Sequence, residues 1–81
     1  MSKKLQLTIA RVDGPLFGGE VDSVTLPGVA GEMTVLADHE ALISPLASGV
    51  ITVHQAGAED QTFEIEKGTV EISNNHATVL V

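Results

Sequence analysis

Asp38-His39-Glu40 places an imidazole between two carboxylates, a combination that can move protons or ligate a metal ion. In an extended chain, however, consecutive residues point to opposite faces, and the HExxH spacing of a helical zinc site is absent. His54 and His76 each stand alone in the sequence, so the pattern supplies no third and fourth ligand. The pattern favours solvated side chains here, and it predicts neither a metal site nor another cofactor.

Nucleophilic and phosphate-binding patterns are equally weak. Ser44 lies in Leu-Ile-Ser-Pro-Leu and not in a G-x-S-x-G elbow, and the chain has no cysteine. The Gly28–Gly31 segment lacks the Lys and Ser/Thr of a phosphate loop, which favours a tight turn between strands. Without a catalytic constellation, the sequence indicates a binding or structural part and not an enzyme.

Composition narrows the class of protein further. The 81 residues predict one domain, 1–81, and four basic against eleven acidic residues give a net charge of −7. Three of the cations (Lys3, Lys4 and Arg11) lie near the N-terminus, which argues against nucleic acid as a partner. No apolar run approaches the roughly 20 residues that span a bilayer, so we expect membrane association only through partner proteins.

The elements that must position these residues are predicted to be short strands. Apolar residues alternate with polar ones in six segments, at Leu5/Leu7/Ile9, Val24/Leu26, Met33/Val35, Ile51/Val53, Phe63/Ile65 and Val70/Ile72. Asn74-Asn75 predicts a tight hairpin, Asp13–Gly19 a turn, and Asp22-Ser23 a bulge. A single helical turn is expected near Glu40–Ser44, within an otherwise all-β sandwich or barrel.

One family matches this order of residues. The chain resembles the epsilon subunit of F-type ATP synthases (the equivalent of mitochondrial delta) through Phe17-x-Gly19, Pro27-Gly28, Gly31-Glu32, Leu36-x-x-His39-x-x-Leu42-Ile43-Ser44 and Leu46-x-x-Gly49. The similarity extends over the whole chain and is most specific between residues 17 and 50. It implies an antiparallel β-sandwich of about ten short strands in the central stalk, held between the gamma subunit and the membrane c-ring.

The resemblance also implies roles for four residues. The glutamate of the Gly-x-x-Gly-Glu loop and the histidine of the next loop correspond to Glu32 and His39, which would contact the polar loops of the c-ring. By the same matching, Arg11 and Ser44 would face gamma. The subunit would hydrolyse nothing itself and would couple ring rotation to gamma, and so ion transport to ATP synthesis. It would lie peripherally on the cytoplasmic face of a bacterial plasma membrane, or on the equivalent side of an organelle membrane.

Two departures from the family pattern are visible. The usual Pro-Gly-His-Ala-Pro-Leu reads Ala37–Leu42 here without either proline, so we expect a less rigid loop. The C-terminal helical hairpin of many relatives is absent from these 81 residues, and self-inhibition through that hairpin is not expected.

Two other function classes stay open on the residues alone. A stand-alone β-sandwich could bind a small molecule or carbohydrate, but Phe17 and Phe63 are its only aromatic side chains for stacking. A metal-dependent barrel enzyme would need clustered histidines.

Overall fold

The computed structural model describes residues 3–81, and every regular element in that range is a β-strand. The nine strands are β1 (Leu5–Arg11), β2 (Gly14–Val21), β3 (Ser23–Gly28), β4 (Gly31–Leu36), β5 (Leu42–Leu46), β6 (Gly49–His54), β7 (Gln61–Ile65), β8 (Gly68–Ser73) and β9 (His76–Leu80). The all-β prediction is confirmed, with one strand fewer in this range than the resemblance implies. No helix within residues 3–81 has the length and apolarity to cross a membrane.

The strands form one curled sheet that folds into two layers. Layer 1 has the order β2-β1-β9-β8-β5, layer 2 has the order β4-β3-β6-β7, and the pair Gly28↔Leu46 joins them. All pairs are antiparallel except β1 with β9, which is parallel. The purely antiparallel expectation is corrected at that point, because the first and last strands run in the same direction and lie side by side.

Alternating side chains build the core between the layers. In β1 the burial pattern strictly alternates, with Leu5, Leu7 and Ile9 fully buried, as predicted from period two. The fifteen buried side chains of residues 3–81 are all hydrophobic and come from both layers. In the last strand the buried set is Ala77 and Val79, so Thr78 and Leu80 face outward. Each fully buried Leu, Ile or Val side chain contributes about 1.5–3 kcal/mol to the stability of the folded state, and these core side chains hold the two layers together.

Two local predictions are wrong. Glu40–Ser44 contains no helical turn, because Leu42–Leu46 pairs with β8 as a strand and Pro45 faces outward on it. The predicted turn Asp13–Gly19 shrinks to Val12 and Asp13, and Gly14–Val21 forms β2. Glycine and proline are tolerated there because β2 is an edge strand.

Two other local predictions, a hairpin turn and a strand irregularity, agree with the structure. Asn74 and Asn75 connect β8 to β9 with φ of 50° and 60°, which confirms the hairpin. Asp22 is the one residue between β2 and β3 and sits in a bend, where the register break was expected. A second register shift, between Ile9 and Ala10 in the β1–β2 pair, was not predicted.

Because successive strands reverse direction, the connections fall at two ends of the sandwich. The end that we call the network end carries Lys3 and Lys4, Asp22, the loops 37–41 and 55–60, and the turn 74–75. The opposite end, called the turn end, carries the two-residue connections 12–13, 29–30, 47–48 and 66–67, together with Val81. Odd-numbered strands run toward the turn end.

Candidate docking surface along strand β4

Glu32 lies at the turn end, as the second residue of β4. It pairs with Pro27 across the β3–β4 hairpin, two residues after the turn Val29–Ala30. Its side chain is exposed, and none of the ion pairs within residues 3–81 includes it. An exposed carboxylate without an internal partner is available to a neighbouring molecule.

His39 lies at the network end, in the loop that connects β4 to β5. The ring is half-buried, and its Nδ1 lies 2.9 Å from the carbonyl oxygen of Glu40. The preceding residue fastens the loop: Asp38 has a φ of 62°, its N–H donates to Asn75 Oδ1 at 2.8 Å, and its carboxylate contacts Lys3 Nζ at 3.0 Å. These polar contacts tie the loop to the turn 74–75 and to Lys3.

Glu32 and His39 therefore do not form one cluster. Four residue steps along β4 separate Glu32 from Leu36, about 13 Å at 3.3 Å per residue, and the loop adds more. Strand β4 contains Glu32 and ends at Leu36, three residues before His39, and among the described strands it pairs only with β3. A single partner can reach both residues by lying along β4.

Arg11 and Ser44 belong instead to layer 1. Arg11 ends β1 at the turn end and lines an open cavity of about 610 Å³, together with Ser48, Glu64, Glu66 and Lys67. Ser44 pairs with Val70 in the middle of β5, is half-buried, and donates its hydroxyl to the Pro45 carbonyl at 3.3 Å. Three strand spacings of about 4.8 Å separate β5 from β1, so these two side chains share a layer without touching.

The network end also contains contacts that sequence spacing did not predict. The carboxylate of Asp22 accepts hydrogen bonds from Lys4 Nζ and from the N–H of Ala56, and the Lys4 bond is the larger cause of its lowered pKa. His54 Nδ1 lies 2.6 Å from Asp60 Oδ1. Lys4 and Ala56 lie 18 and 34 residues from Asp22 in the sequence, so no local sequence pattern predicts these contacts.

A row of threonines crosses the outer face of layer 2 and was likewise missed. Thr34 pairs with Thr25, Thr25 with Thr52, and Thr52 with Thr62, one from each strand of the layer. The hydroxyls of Thr25 and Thr34 are 3.1 Å apart. The sequence contained the information for this row, because each threonine lies in a strand of alternating apolar residues, at a position that points away from the core.

Titratable side chains are otherwise dispersed. Within residues 3–81, no three or more His, Cys, Asp or Glu side chains gather closely enough to hold a metal ion. The two phenylalanines, Phe17 and Phe63, contact one another edge to face with ring centroids 6.3 Å apart, and both pack against the core.

Comparisons with known proteins agree with one another. Residues 4–81 match the family described as ATP synthase, Delta/Epsilon chain, beta-sandwich domain. Curated relatives named ATP synthase epsilon chain include those of Nitratiruptor sp., 42% identical over 77 residues, and Sulfurimonas denitrificans, 41% identical over 78 residues. The alignments cover 95% and 96% of this chain, which spans 60% of the length of each relative.

Solved structures show the same likeness. A chain in the Euglena gracilis mitochondrial ATP synthase (OSCP/F1/c-ring) superposes with a TM-score of 0.89 at 28% identity, over 96% of this chain and 50% of that one. A chain of the Tetrahymena thermophila mitochondrial ATP synthase central stalk and c-ring gives a TM-score of 0.81 at 13% identity, over 99% of this chain and 64% of that one. The second likeness shows the fold alone.

Proposed function

Because the chain belongs to the family of ATP synthase delta/epsilon chains through their beta-sandwich domain, we propose that it is a non-catalytic part of the central stalk of an F-type ATP synthase. In this role it binds gamma and the c-ring and transmits rotation between them, which couples ion transport to ATP synthesis. The observation that carries the proposal is the family match over residues 4–81. Membrane association is peripheral, through these partner subunits.

Two surfaces serve the two partners in this proposal. Glu32 and His39 contact the c-ring along β4 in layer 2, and Arg11 and Ser44 face gamma from layer 1. Charged and polar groups at the rim of such contacts set orientation and specificity, and each adds little affinity by itself. The arrangement supports a part that is held from two sides.

The alternative of a small-molecule or carbohydrate module has little support in the structure. Its two aromatic rings are half-buried, contact each other edge to face and pack against the core, so they form no open aromatic platform for a ligand. The cavity beside Arg11 is lined by two cations and two acids, and so it has no dominant charge for one class of ligand.

Binding to gamma tests the proposal directly. The full-length subunit and its cognate gamma, mixed and separated by size exclusion, should elute as a one-to-one complex at low and at physiological salt. Gamma that elutes alone under both conditions contradicts the proposal.

The ring contact is tested by Glu32→Ala and His39→Ala, alone and together, in the assembled complex. Each single change should weaken retention of the ring by a factor of about 1.4 to 5, because rim contacts contribute roughly 0.2–1 kcal/mol. Sites more than about 10 Å apart act independently, so the double variant should show the product of the two effects. Glu59→Ala, on the exposed loop 55–60, is the matched control. A double variant that retains the ring fully removes these residues from the interface.

A further inference from the structure

Loop 37–41, which carries His39 and connects β4 to β5, is held by very few contacts. Each of its residues is exposed or half-buried, so the loop adds no side chain to the core. Within residues 3–81, none of the backbone–backbone hydrogen bonds outside the strands reaches this loop. In the same range, two polar contacts of Asp38 fix it to other segments. Asp38 donates its N–H to Asn75 Oδ1 at 2.8 Å, and its carboxylate lies 3.0 Å from Lys3 Nζ.

The two contacts of Asp38 differ in strength. The side chains of Lys3 and Asp38 are 69% and 58% exposed, and an ion pair so exposed contributes little because water screens it. Asn75 is half-buried, and its side chain satisfies a backbone N–H that has no partner in a strand. We therefore expect the amide of Asn75, and not the ion pair, to hold the loop in place.

Asn75 is itself fixed from the other side. Its Nδ2 donates to the Lys4 carbonyl at 2.7 Å, and its own carbonyl accepts the Gln6 N–H at 3.1 Å. A carbonyl oxygen can only accept, so the Lys4 contact places Nδ2 there and turns Oδ1 toward Asp38. The Lys4 ammonium is in turn bonded to Asp22. The amide is thus attached to the start of β1 and cannot rotate without losing a hydrogen bond.

The bond to Asn75 stabilises an uncommon backbone conformation just before His39. Asp38 has a φ of 62°, a left-handed conformation that costs free energy for a residue with a Cβ atom and persists where its surroundings hold it. The imidazole of His39 is bonded within the same loop, because Nδ1 lies 2.9 Å from the Glu40 carbonyl. Since that oxygen accepts, Nδ1 carries the proton. Within residues 3–81, Nε2 makes no hydrogen bond, so it is the nitrogen left for a partner, and the loop backbone decides where it points.

We infer that Asn75 is a positioning residue of the docking surface: it holds Asp38 in its left-handed conformation and thereby aims the imidazole of His39 at the partner. The inference rests on the proposed function, in which that partner is the c-ring. Asn75 acts through His39 and not by contacting the c-ring itself. Because the loop is ordered before the partner arrives, binding does not bear the entropic cost of ordering it.

Glycine substitutions in the turn separate the amide from the backbone. Asn75→Gly removes the side chain and keeps the turn, because glycine adopts a φ of 60° without strain. Asn74→Gly is the matched control, with a φ of 50° and no side-chain hydrogen bond within residues 3–81. In the free subunit, the Asp38 amide should exchange with deuterium about tenfold faster in Asn75→Gly than in the unchanged protein, and equally fast in Asn74→Gly. Lys3→Ala should also leave this exchange rate unchanged, because it removes only the exposed ion pair.

Docking is measured with the full-length subunit in the assembled synthase, as retention of the c-ring. Asn75→Gly should weaken retention by about the same factor as His39→Ala, Asn74→Gly should leave it unchanged, and gamma binding should not change in any of these variants. Combining Asn75→Gly with His39→Ala should weaken retention no further than His39→Ala alone, because two residues that act through one contact are not additive. In urea unfolding, by contrast, Asn75→Gly should lower stability equally with and without His39. A residue with only a structural role would reduce retention by the same factor in both backgrounds.

Several results would overturn the inference. An Asp38 amide that exchanges equally fast in Asn75→Gly and in the unchanged protein shows that the hydrogen bond does not constrain the loop. Full retention of the c-ring by Asn75→Gly or by His39→Ala, or a double variant whose loss is the product of the two single losses, removes the action through His39. Equal weakening by Asn74→Gly assigns the effect to the turn backbone, and loss of gamma binding with the c-ring retained assigns the loop to gamma. An unchanged subunit that binds neither gamma nor the c-ring contradicts the proposed function instead, and the exchange measurement on the free subunit does not depend on it.

Discussion

The two ends of the sandwich are closed in different ways. At the network end, side chains join segments that are far apart in the sequence: Asp22 bonds to Lys4 and Ala56, and Asn75 bonds to Asp38 and Lys4. At the turn end, backbone hydrogen bonds join the segments. Val29 N–H donates to the Pro45 carbonyl, and Val81 N–H donates to the Ala10 carbonyl. Within residues 3–81, no side chain of the four turns at that end makes a hydrogen bond.

The side chains of the turn end are therefore free for other contacts. Val12 is fully exposed and Val29 is 60% exposed, each within a two-residue turn. Glu32 follows the second of these turns. The comparison teaches that specific side-chain bonds stabilise one end of the molecule, while the opposite end holds its shape by backbone pairing and displays its side chains outward.

Asn75→Ala should have the largest effect on this contrast. Its side chain accepts from the Asp38 N–H and donates to the Lys4 carbonyl at 2.7 Å, so the change removes two bonds between three segments. Asn74→Ala is the matched control, because Asn74 has the same left-handed backbone and none of these bonds. In urea unfolding, Asn75→Ala should lose about 1–3 kcal/mol more than Asn74→Ala. Equal losses would mean that only backbone strain matters at this turn.

An intermediate effect on the free energy of unfolding is expected when the pH is lowered and Asp22 becomes protonated. Its pKa is lowered in the folded state, first by the hydrogen bond from Lys4 and then by that from Ala56 N–H. The ionised carboxylate thus adds stability above pH 3.8, the pKa of an unperturbed aspartate, and that stability is lost as pH falls through the lower pKa of the folded state. Asp22→Asn should be less stable than the unchanged protein at pH 7, and the gap should close in acid.

Urea unfolding between pH 2 and 7 measures that gap. Asp13→Asn, a carboxylate of the turn end without a hydrogen-bond partner in residues 3–81, is the control variant. A constant difference between Asp22→Asn and the unchanged protein across this range would contradict the assignment.

The smallest effect on stability is expected at the turn end. Val12→Ser and Val29→Ser should each change the free energy of unfolding by less than about 0.5 kcal/mol, because exposed positions without special contacts tolerate substitution. Val24→Ser, at a fully buried valine, should cost well over 1 kcal/mol in the same assay. A large loss at Val12 or Val29 would show that the turn end depends on its side chains after all.

The sequence predicted the parts of the molecule that depend on local period. Leu5, Leu7 and Ile9 alternate in sequence and are buried in the structure, and Asn74-Asn75 forms the expected turn. The β5 strand was missed because five residues with a proline carry little local signal, and its pairing with β8 decides its conformation. The parallel neighbours β1 and β9 were out of reach for the same reason, since pairing across the whole chain leaves no local pattern.

The candidate site was predictable only in part. Resemblance singled out Glu32 and His39, and alternation indicated that they flank a strand, but their placement at opposite ends of β4 needed the hairpin register. The hydrogen bond from the Asp38 N–H to Asn75 joins residues 37 positions apart, so it is a property of the assembled sheet and leaves no local pattern.

The parallel contact of β1 with β9 has a consequence for how the protein is made. A nascent chain that has released only its first 75 residues holds β1 against β2 alone, with the fully apolar side of layer 1 incomplete. Layer 1 cannot close until Leu80 has left the ribosome, so translation of the domain must finish before folding can. Pairing between segments so distant in the sequence makes folding slow relative to helical domains of similar size.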